Sequence, residues 1–279
     1  YQDKTEEFMF AVIFEVQPKE ARFDEYLELA KGLKPKLEAI DGFIDNERFK
    51  SLRDPRWLVS LSTWRDEKAV IRWRTQAEHH GVQEKGHFEV FEDYHLRVGE
   101  FYSDTKTPVT TQQRFDETEI GEAKVVTLTE VEFNNKVPGD ALAAELGLDR
   151  NRGGVVGQET FESITVPGKF LLLVSWCDVK AAEGFAPKLP TAAKSLRHRS
   201  VRIIRDYGMY ERREAPQRGH AARDALGVQP AGGGKPLAQA RHDLLVVEIG
   251  RASRHPVEDD QPHGVGADID HADPAQPVV

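Results

Sequence analysis

The feature that most constrains this chain is that it repeats itself at one displacement. Glu47, Phe49 and Ser51 recur as Glu159, Phe161 and Ser163, and Trp64, Asp66, Lys68 and Ala69 recur as Trp176, Asp178, Lys180 and Ala181, both sets shifted by 112 residues. A shared offset across two separated motifs requires the 12 residues between Ser51 and Trp64 to have the same length in both copies, which chance seldom provides. The period is far beyond the roughly 20 to 50 residues of a solenoid repeat. Residues 8–215 therefore read as two diverged copies of one small α+β unit.

Each copy reads as strand, helix, strand, strand, helix, strand. In copy one, residues 8–16 form an apolar strand, and Phe23, Tyr26, Leu27, Ala30, Leu33, Leu37 and Ile40 follow helical spacing, with Gly32 and Pro35 expected to kink or divide the helix. Residues 43–50 and 57–64 are the next strands, on either side of an Asp54-Pro55 turn. Asp66 fits an N-cap for a second helix carrying Val70, Ile71 and Trp73, and residues 94–102 are the last strand. Copy two repeats the order with strands at 125–133, 155–164, 170–176 and 200–210, a short helix near 140–146 and another from Lys180. This is the ferredoxin-like βαββαβ arrangement, an α+β fold with helices on one face of an antiparallel sheet. The expected organisation is a first domain at 1–105, a polar linker at 106–121, a second domain at 122–216 and a low-complexity, disordered tail at 217–279. None of the 14 Phe, 6 Tyr and 4 Trp lies beyond Tyr210, so the tail lacks the means to build a core.

Composition narrows the function classes. With no run near the roughly 18 apolar residues of a membrane helix and a polar start, neither a membrane span nor a signal peptide is expected. A single cysteine, Cys177, excludes a disulfide framework and a multi-cysteine metal site, fits a reducing cytoplasmic setting, and reads as a buried small hydrophobe. A net charge of -9, with no Lys/Arg cluster interleaved with aromatics, argues against nucleic acid as a partner. Phosphate-loop, dinucleotide, zinc-protease and nucleophile-elbow motifs are all absent, which removes support for nucleotide, flavin and metal-hydrolase readings.

The stretch from Gly42-Phe43-Ile44 through Glu47-Arg48-Phe49, Trp64-Arg65-Asp66-Glu67, Trp73-Arg74 and His79 to Gln83, Gly86 and Tyr94-His95-Leu96-Arg97-Val98 resembles the antibiotic biosynthesis monooxygenase family. Copy two ends in Arg205-Asp206-Tyr207-Gly208-Met209-Tyr210, which looks like the end of tandem members. The resemblance implies a dimeric α+β barrel, which two fused copies form as a pseudo-dimer within one chain, and a homodimer of that unit is a possible further assembly. It also implies one of two activities: cofactor-independent oxidation of aromatic or polycyclic phenols by O2, or oxygenation of haem. The haem branch uses an Asn on the first strand, a Trp on the second helix and a His ten residues later. Here only Trp73 matches, since Val12 and Gln83 occupy the other positions, so haem would need another ligand such as His79, His80 or His198. A third reading keeps the fold as a non-catalytic ligand-binding protein or scaffold.

His79, His80 and Tyr94 are the candidate catalytic residues. A histidine in a pocket is suited to removing a phenolic proton, giving an electron-rich phenolate that reacts with oxygen, and a tyrosine can donate to bound oxygen. Trp73, Gln83, His87 and Arg97 are candidates for substrate binding, and no metal site is expected. The plainer reading makes the histidines solvated helix-end residues and Trp73 core. Trp64 and Trp176, being repeated, read as structural. Polar aromatics and histidines gather in copy one, which places the working pocket there and leaves copy two chiefly to close the barrel.

Overall fold

A computed structural model describes residues 9–111, 116–134, 141–149 and 151–216, apart from the side chains of Glu78, His80 and Glu84; the expected tail at 217–279 lies outside the described residues. The first half contains β1 (Phe10–Pro18), α1 (Phe23–Glu38), β2 (Phe43–Ser51), β3 (Leu58–Trp64), α2 (Glu67–Thr75), α3 (Ala77–Lys85), a π-helical turn (Gly86–Val90) and β4 (Phe91–Asp104). The second contains β5 (Val125–Phe133), α4 (Leu142–Glu145), β6 (Val155–Ser163), β7 (Lys169–Trp176), α5 (Val179–Glu183) and β8 (Ala193–Gly208). Every strand pair is antiparallel, and the strands close into one barrel in the order β1-β3-β2-β6-β7-β5-β8-β4. Each half thus contributes a ferredoxin-like sheet, and the two sheets join at β2·β6 and β4·β8. Closure leaves no unpaired strand edge, which is how a barrel avoids edge-to-edge association.

The repeated residues explain the β2·β6 joint. Lys50 lies opposite Glu162, its own repeat equivalent, so an approximate two-fold axis runs through that pair. Around it the Glu-x-Phe-x-Ser motifs engage reciprocally: Ser51 Oγ donates to Glu159 at 2.5 Å, and Ser163 Oγ donates to Glu47 at 2.6 Å. Phe49 and Phe161 point inward and are buried in the barrel core with Ile13, Leu61, Leu128 and Leu173. Period-2 alternation puts these side chains inside and their neighbours outside, under the helices.

A polar layer crosses the barrel with the same symmetry. Arg97 donates to Glu15 of its own half and to Ser175 Oγ of the other at 2.7 Å, while Arg199 donates to Glu130 and to Thr63 Oγ1 at 3.2 Å. Both arginines are almost fully buried, so the two halves are stitched by paired charges as well as apolar contact. At the rim of the β4·β8 joint, His95 pairs with Asp206 at 2.5 Å and Arg197 pairs with Asp104 at 2.6 Å.

The helix starts are local chemistry. Asp66 Oδ1 accepts from the amide of Ala69 at 2.7 Å, and its repeat equivalent Asp178 accepts from that of Ala181 at 2.7 Å, each satisfying a donor left free at a helix N-terminus. Trp64 and Trp176 are fully buried where the sheet meets the helices, and their indole N–H groups donate at 2.9 Å to Ser62 and Thr127. Two expectations are corrected. Helix α1 is not divided at Gly32 or Pro35 and runs through both; Pro35 removes one amide donor near the helix end, while its own carbonyl still accepts from Ala39 N–H at 3.2 Å. Cys177 is exposed rather than buried, since it follows the last residue of β7, and its thiol, hydrogen-bonded to Asp178, is held above the usual thiol range by that carboxylate.

Candidate active site

The space between the first sheet and its helices is not filled. A cavity of about 1000 Å³ lies there, floored by the outward faces of β1–β4 and β8 and walled by α1, α2, α3 and the π-helical turn. Strand register arranges the floor in rows. One row runs Asn46, Ser62, Val12, Val98, Arg205, and the next runs Arg48, Ser60, Phe14, Leu96, Tyr207. The floor is therefore apolar in the middle and polar at both ends. The final described residues, 212–216, close one end as a strap. Glu214 anchors it, accepting from the amides of Asp206 (2.6 Å), Glu119 (2.7 Å) and Ile120 (3.2 Å) and from Thr118 Oγ1 (2.8 Å). Burial opposes ionisation of Glu214, but these donors outweigh it and hold the carboxyl below its ordinary value.

Five of the residues singled out from sequence line this cavity: Trp73, His79, Gln83, His87 and Tyr94. Gln76 breaks the second helix by taking an extended conformation, and its side chain caps α3 by accepting from the His79 amide at 2.7 Å. That break folds the His79 ring back onto Trp73, with ring centroids 4.0 Å apart and planes 17° from parallel. His79 Nδ1 lies 2.9 Å from the Trp73 carbonyl oxygen, which can only accept, so Nδ1 carries a proton and Nε2 is the nitrogen that titrates. His87 packs edge-on against Phe88 and Tyr94. Tyr94 is buried, and its hydroxyl accepts from Arg212 of the strap. Burial pushes the Tyr207 hydroxyl up to about 12, so it is a neutral donor at ordinary pH.

Two other candidates lie elsewhere. Arg97 belongs to the polar layer inside the barrel, on the face of β4 opposite Tyr94, Leu96 and Val98. His198 is buried in the second half, with Nδ1 2.8 Å from Thr129 Oγ1 and Phe185 edge-on at 5.7 Å. Burial pushes its pKa down to about 4. The His80 side chain is outside the described residues. No group of three potential metal ligands occurs among the described residues, and none of their helices is long and apolar enough to cross a membrane. Sequence reasoning missed the polar corner of Asn46, Arg48, Ser60 and Ser62, and the wall that the second half supplies through Arg205, Tyr207 and the strap.

Residues 9–85, which include β1–β3 and the helices around the cavity, match the model of the antibiotic biosynthesis monooxygenase domain. A protein of Pyricularia oryzae named jasmonate monooxygenase ABM is 43% identical to this chain over 217 residues, covering 75% of this chain and 97% of its own length. The chain belongs to the antibiotic biosynthesis monooxygenase family. Among solved structures, this family member is similar to a putative monooxygenase from Lactobacillus acidophilus (12% identity, 72% of this chain and 96% of that one, TM-score 0.32). It is also similar to an anthrone oxidase-like protein (11% identity, 76% and 98%, TM-score 0.32). One chain supplies both sheets here, so no second copy is needed to close the barrel.

Proposed function

We propose that this monooxygenase inserts oxygen from O2 into a small amphipathic molecule held in the first-half cavity, without flavin or metal. The observation that carries the reading is the floor itself, an apolar middle between two polar ends. Jasmonate, named for the Pyricularia relative, is a molecule of this kind: a cyclopentanone with a carboxylate arm and an apolar chain. A jasmonate-like organic acid is accordingly the substrate class we favour. In this reading His79 Nε2 takes a proton from a CH2 beside the substrate carbonyl, O2 adds to that carbon, and loss of water from the resulting hydroperoxide leaves a new C=O. One oxygen atom thus goes to the product and one to water, with no reductant. Trp73 stacked behind His79 fixes its ring, Tyr94 donates to the oxygen-bearing group, and Gln83 and His87 line the approach.

A second reading keeps the phenol class, and the flat Trp73–His79 stack favours it, because an aromatic ring can lie against that surface. There His79 takes the phenolic proton, the substrate carbon is oxidised to a quinone, and O2 supplies one atom to the product and one to water.

The test is oxygen uptake and product mass for jasmonic acid and for a panel of phenols, with no added flavin, metal or reductant, in the natural protein and in Val98→Trp, which fills the floor. Uptake abolished by Val98→Trp is expected. Turnover that persists in that variant would remove the cavity assignment, and an absolute need for an added cofactor would end the cofactor-independent reading.

A further inference from the structure

The repeat makes the second half an internal control for the first. At the floor positions on β2 and β3, the two halves can be compared at the fixed offset of 112. The positions of Ser60 and Ser62 are held in the second half by Leu172 and Val174, both fully buried in a packed cluster, and the position of Arg48 is held by Thr160. The inward-facing neighbours are unchanged, since Glu47, Phe49 and Ser51 recur as Glu159, Phe161 and Ser163. The second half is built without a counterpart of Arg48 or Ser60, whereas Ser62 also accepts from the buried Trp64 indole, a task that Thr127 performs for Trp176. Arg48 and Ser60 belong to the half that has a cavity.

Arg48 itself is partly buried and lies close enough to Tyr26 on α1 for its charge to favour the ionised hydroxyl, against the burial that holds that hydroxyl above its ordinary range. Its Nε is fully buried with no hydrogen-bond partner, and among the described residues no carboxylate pairs with it. A guanidinium is always charged and presents five donors, and taking it out of water without an anion is costly. Beside it, Asn46 Nδ2 donates to Ser60 Oγ at 2.9 Å and to the Leu61 carbonyl at 3.1 Å. The Ser60 oxygen is thereby used as an acceptor, which turns its own hydrogen toward another acceptor. A charged fork with an unused donor and an oriented hydroxyl converge on one end of an otherwise apolar cavity.

We infer that Arg48, with Ser60 set by Asn46, is the specificity-determining anchor for the carboxylate of an organic-acid substrate, placing the apolar remainder over Phe14 and Leu96 and toward the Trp73–His79 stack. The inference rests on the reading of this cavity as the oxygenation site. Arg48 grips the end away from the reacting carbon, so its action is on binding and orientation.

The experiment compares jasmonic acid with methyl jasmonate, the same skeleton without the charge, by equilibrium binding to the full chain. The natural protein should bind the acid more tightly than the ester. Arg48→Gln should weaken the acid by roughly 10- to 100-fold, the loss of a hydrogen-bonded charge pair, and change the ester by no more than about twofold. Arg48→Lys should recover only part of the acid's affinity, because an ammonium lacks the two-pronged geometry. Circular dichroism of each variant checks that the barrel is intact. Equal loss for acid and ester in Arg48→Gln overturns the inference, and so does a natural protein that does not prefer the acid. If Arg212→Gln in the strap, rather than Arg48→Gln, erases the preference, the anchor is at the other end and the inference also fails. Loss of all binding only in Val98→Trp, with Arg48→Gln unchanged for the acid, leaves the cavity reading standing and removes this one.

Discussion

The two helical layers of this molecule start from the same strand pattern and end differently. Over the second sheet, Leu142, Leu146, Phe170, Leu172, Trp176 and Phe185 pack into a continuous apolar cluster. Over the first, the same depth holds a cavity of about 1000 Å³. Chain length accounts for much of this. From Trp64 to Arg97 the first half spends 33 residues, and from Trp176 to its counterpart Arg199 the second spends 23, ten fewer. Within this stretch the first half carries α3 and the π-helical turn, which have no helical counterpart among the described residues of the second half. Phe185 stands seven residues after the capping Asp178, as Trp73 stands seven after Asp66, but Phe185 drops onto Trp176 whereas Trp73 stacks on His79. One duplicated unit thus became a layer with a cavity in one copy and a packed layer in the other, by insertion and by changes of floor residue that include Arg48, Ser60 and Ser62 against Thr160, Leu172 and Val174.

This contrast can be broken where it is strongest. Leu172→Ala in the packed layer should cost about 2 to 5 kcal/mol, since close-packed surroundings relax poorly around a deleted side chain. Leu96→Ala, on the cavity floor, deletes the same atoms beside space that already exists, and should cost about 1 kcal/mol or less while altering ligand binding. Urea denaturation of both variants decides the matter, and equal costs would show that the first layer is packed after all.

A second measurement uses His198. Its folded-state pKa is depressed to about 4 by burial, so between about 6.5 and 4 the unfolded chain binds a proton that the folded chain does not. The stability it contributes is present above pH 6.5 and drains away as pH falls toward 4, by up to about 3 kcal/mol. Melting temperature followed across that range should drop less steeply in His198→Gln than in the natural protein. A parallel slope in the two proteins would mean the ring is not enclosed as described.

The smallest effects test the symmetry of the joint. Ser51→Ala and Ser163→Ala each remove one hydroxyl from an equivalent glutamate, and each should cost about 1 kcal/mol. Because the contacts are reciprocal, the two costs should agree within about 0.5 kcal/mol, read from denaturation midpoints.

How much of this was legible in the chain follows from what leaves a periodic trace. Strand order and the N-caps were readable because alternation, helical spacing and Asp66/Asp178 are local signals. Trp73, His79, His87 and Tyr94 could be placed near one another because they sit on the second helix and the following strand. Arg97 pointed the wrong way for a reason periodicity also contains: it alternates with Leu96 and Val98, so lining residues on that strand exclude it. Matches between the copies mark the shared fold, while the mismatches, such as Arg48 against Thr160 and Ser60 against Leu172, mark where the two halves diverge. The strap was out of reach, because its place depends on Glu214 meeting amides of a distant loop near Thr118.

The reciprocal joints have a consequence for heredity of shape. In an assembly of two identical chains, a residue lying on the two-fold axis must face its own copy, so a glutamate there meets a glutamate. Fusion lifts that rule. Lys50 faces Glu162 across one joint, and Glu100 faces Arg202 across the other, at 2.8 Å, each position having been free to choose a complementary partner. Either half paired with a duplicate of itself would bring like charges together at Glu100 or at Arg202, so the chain's own other half is the better match. Duplication within one polypeptide therefore converted a symmetric encounter into a lock and key of unequal parts, which let one half specialise while the other kept the barrel closed.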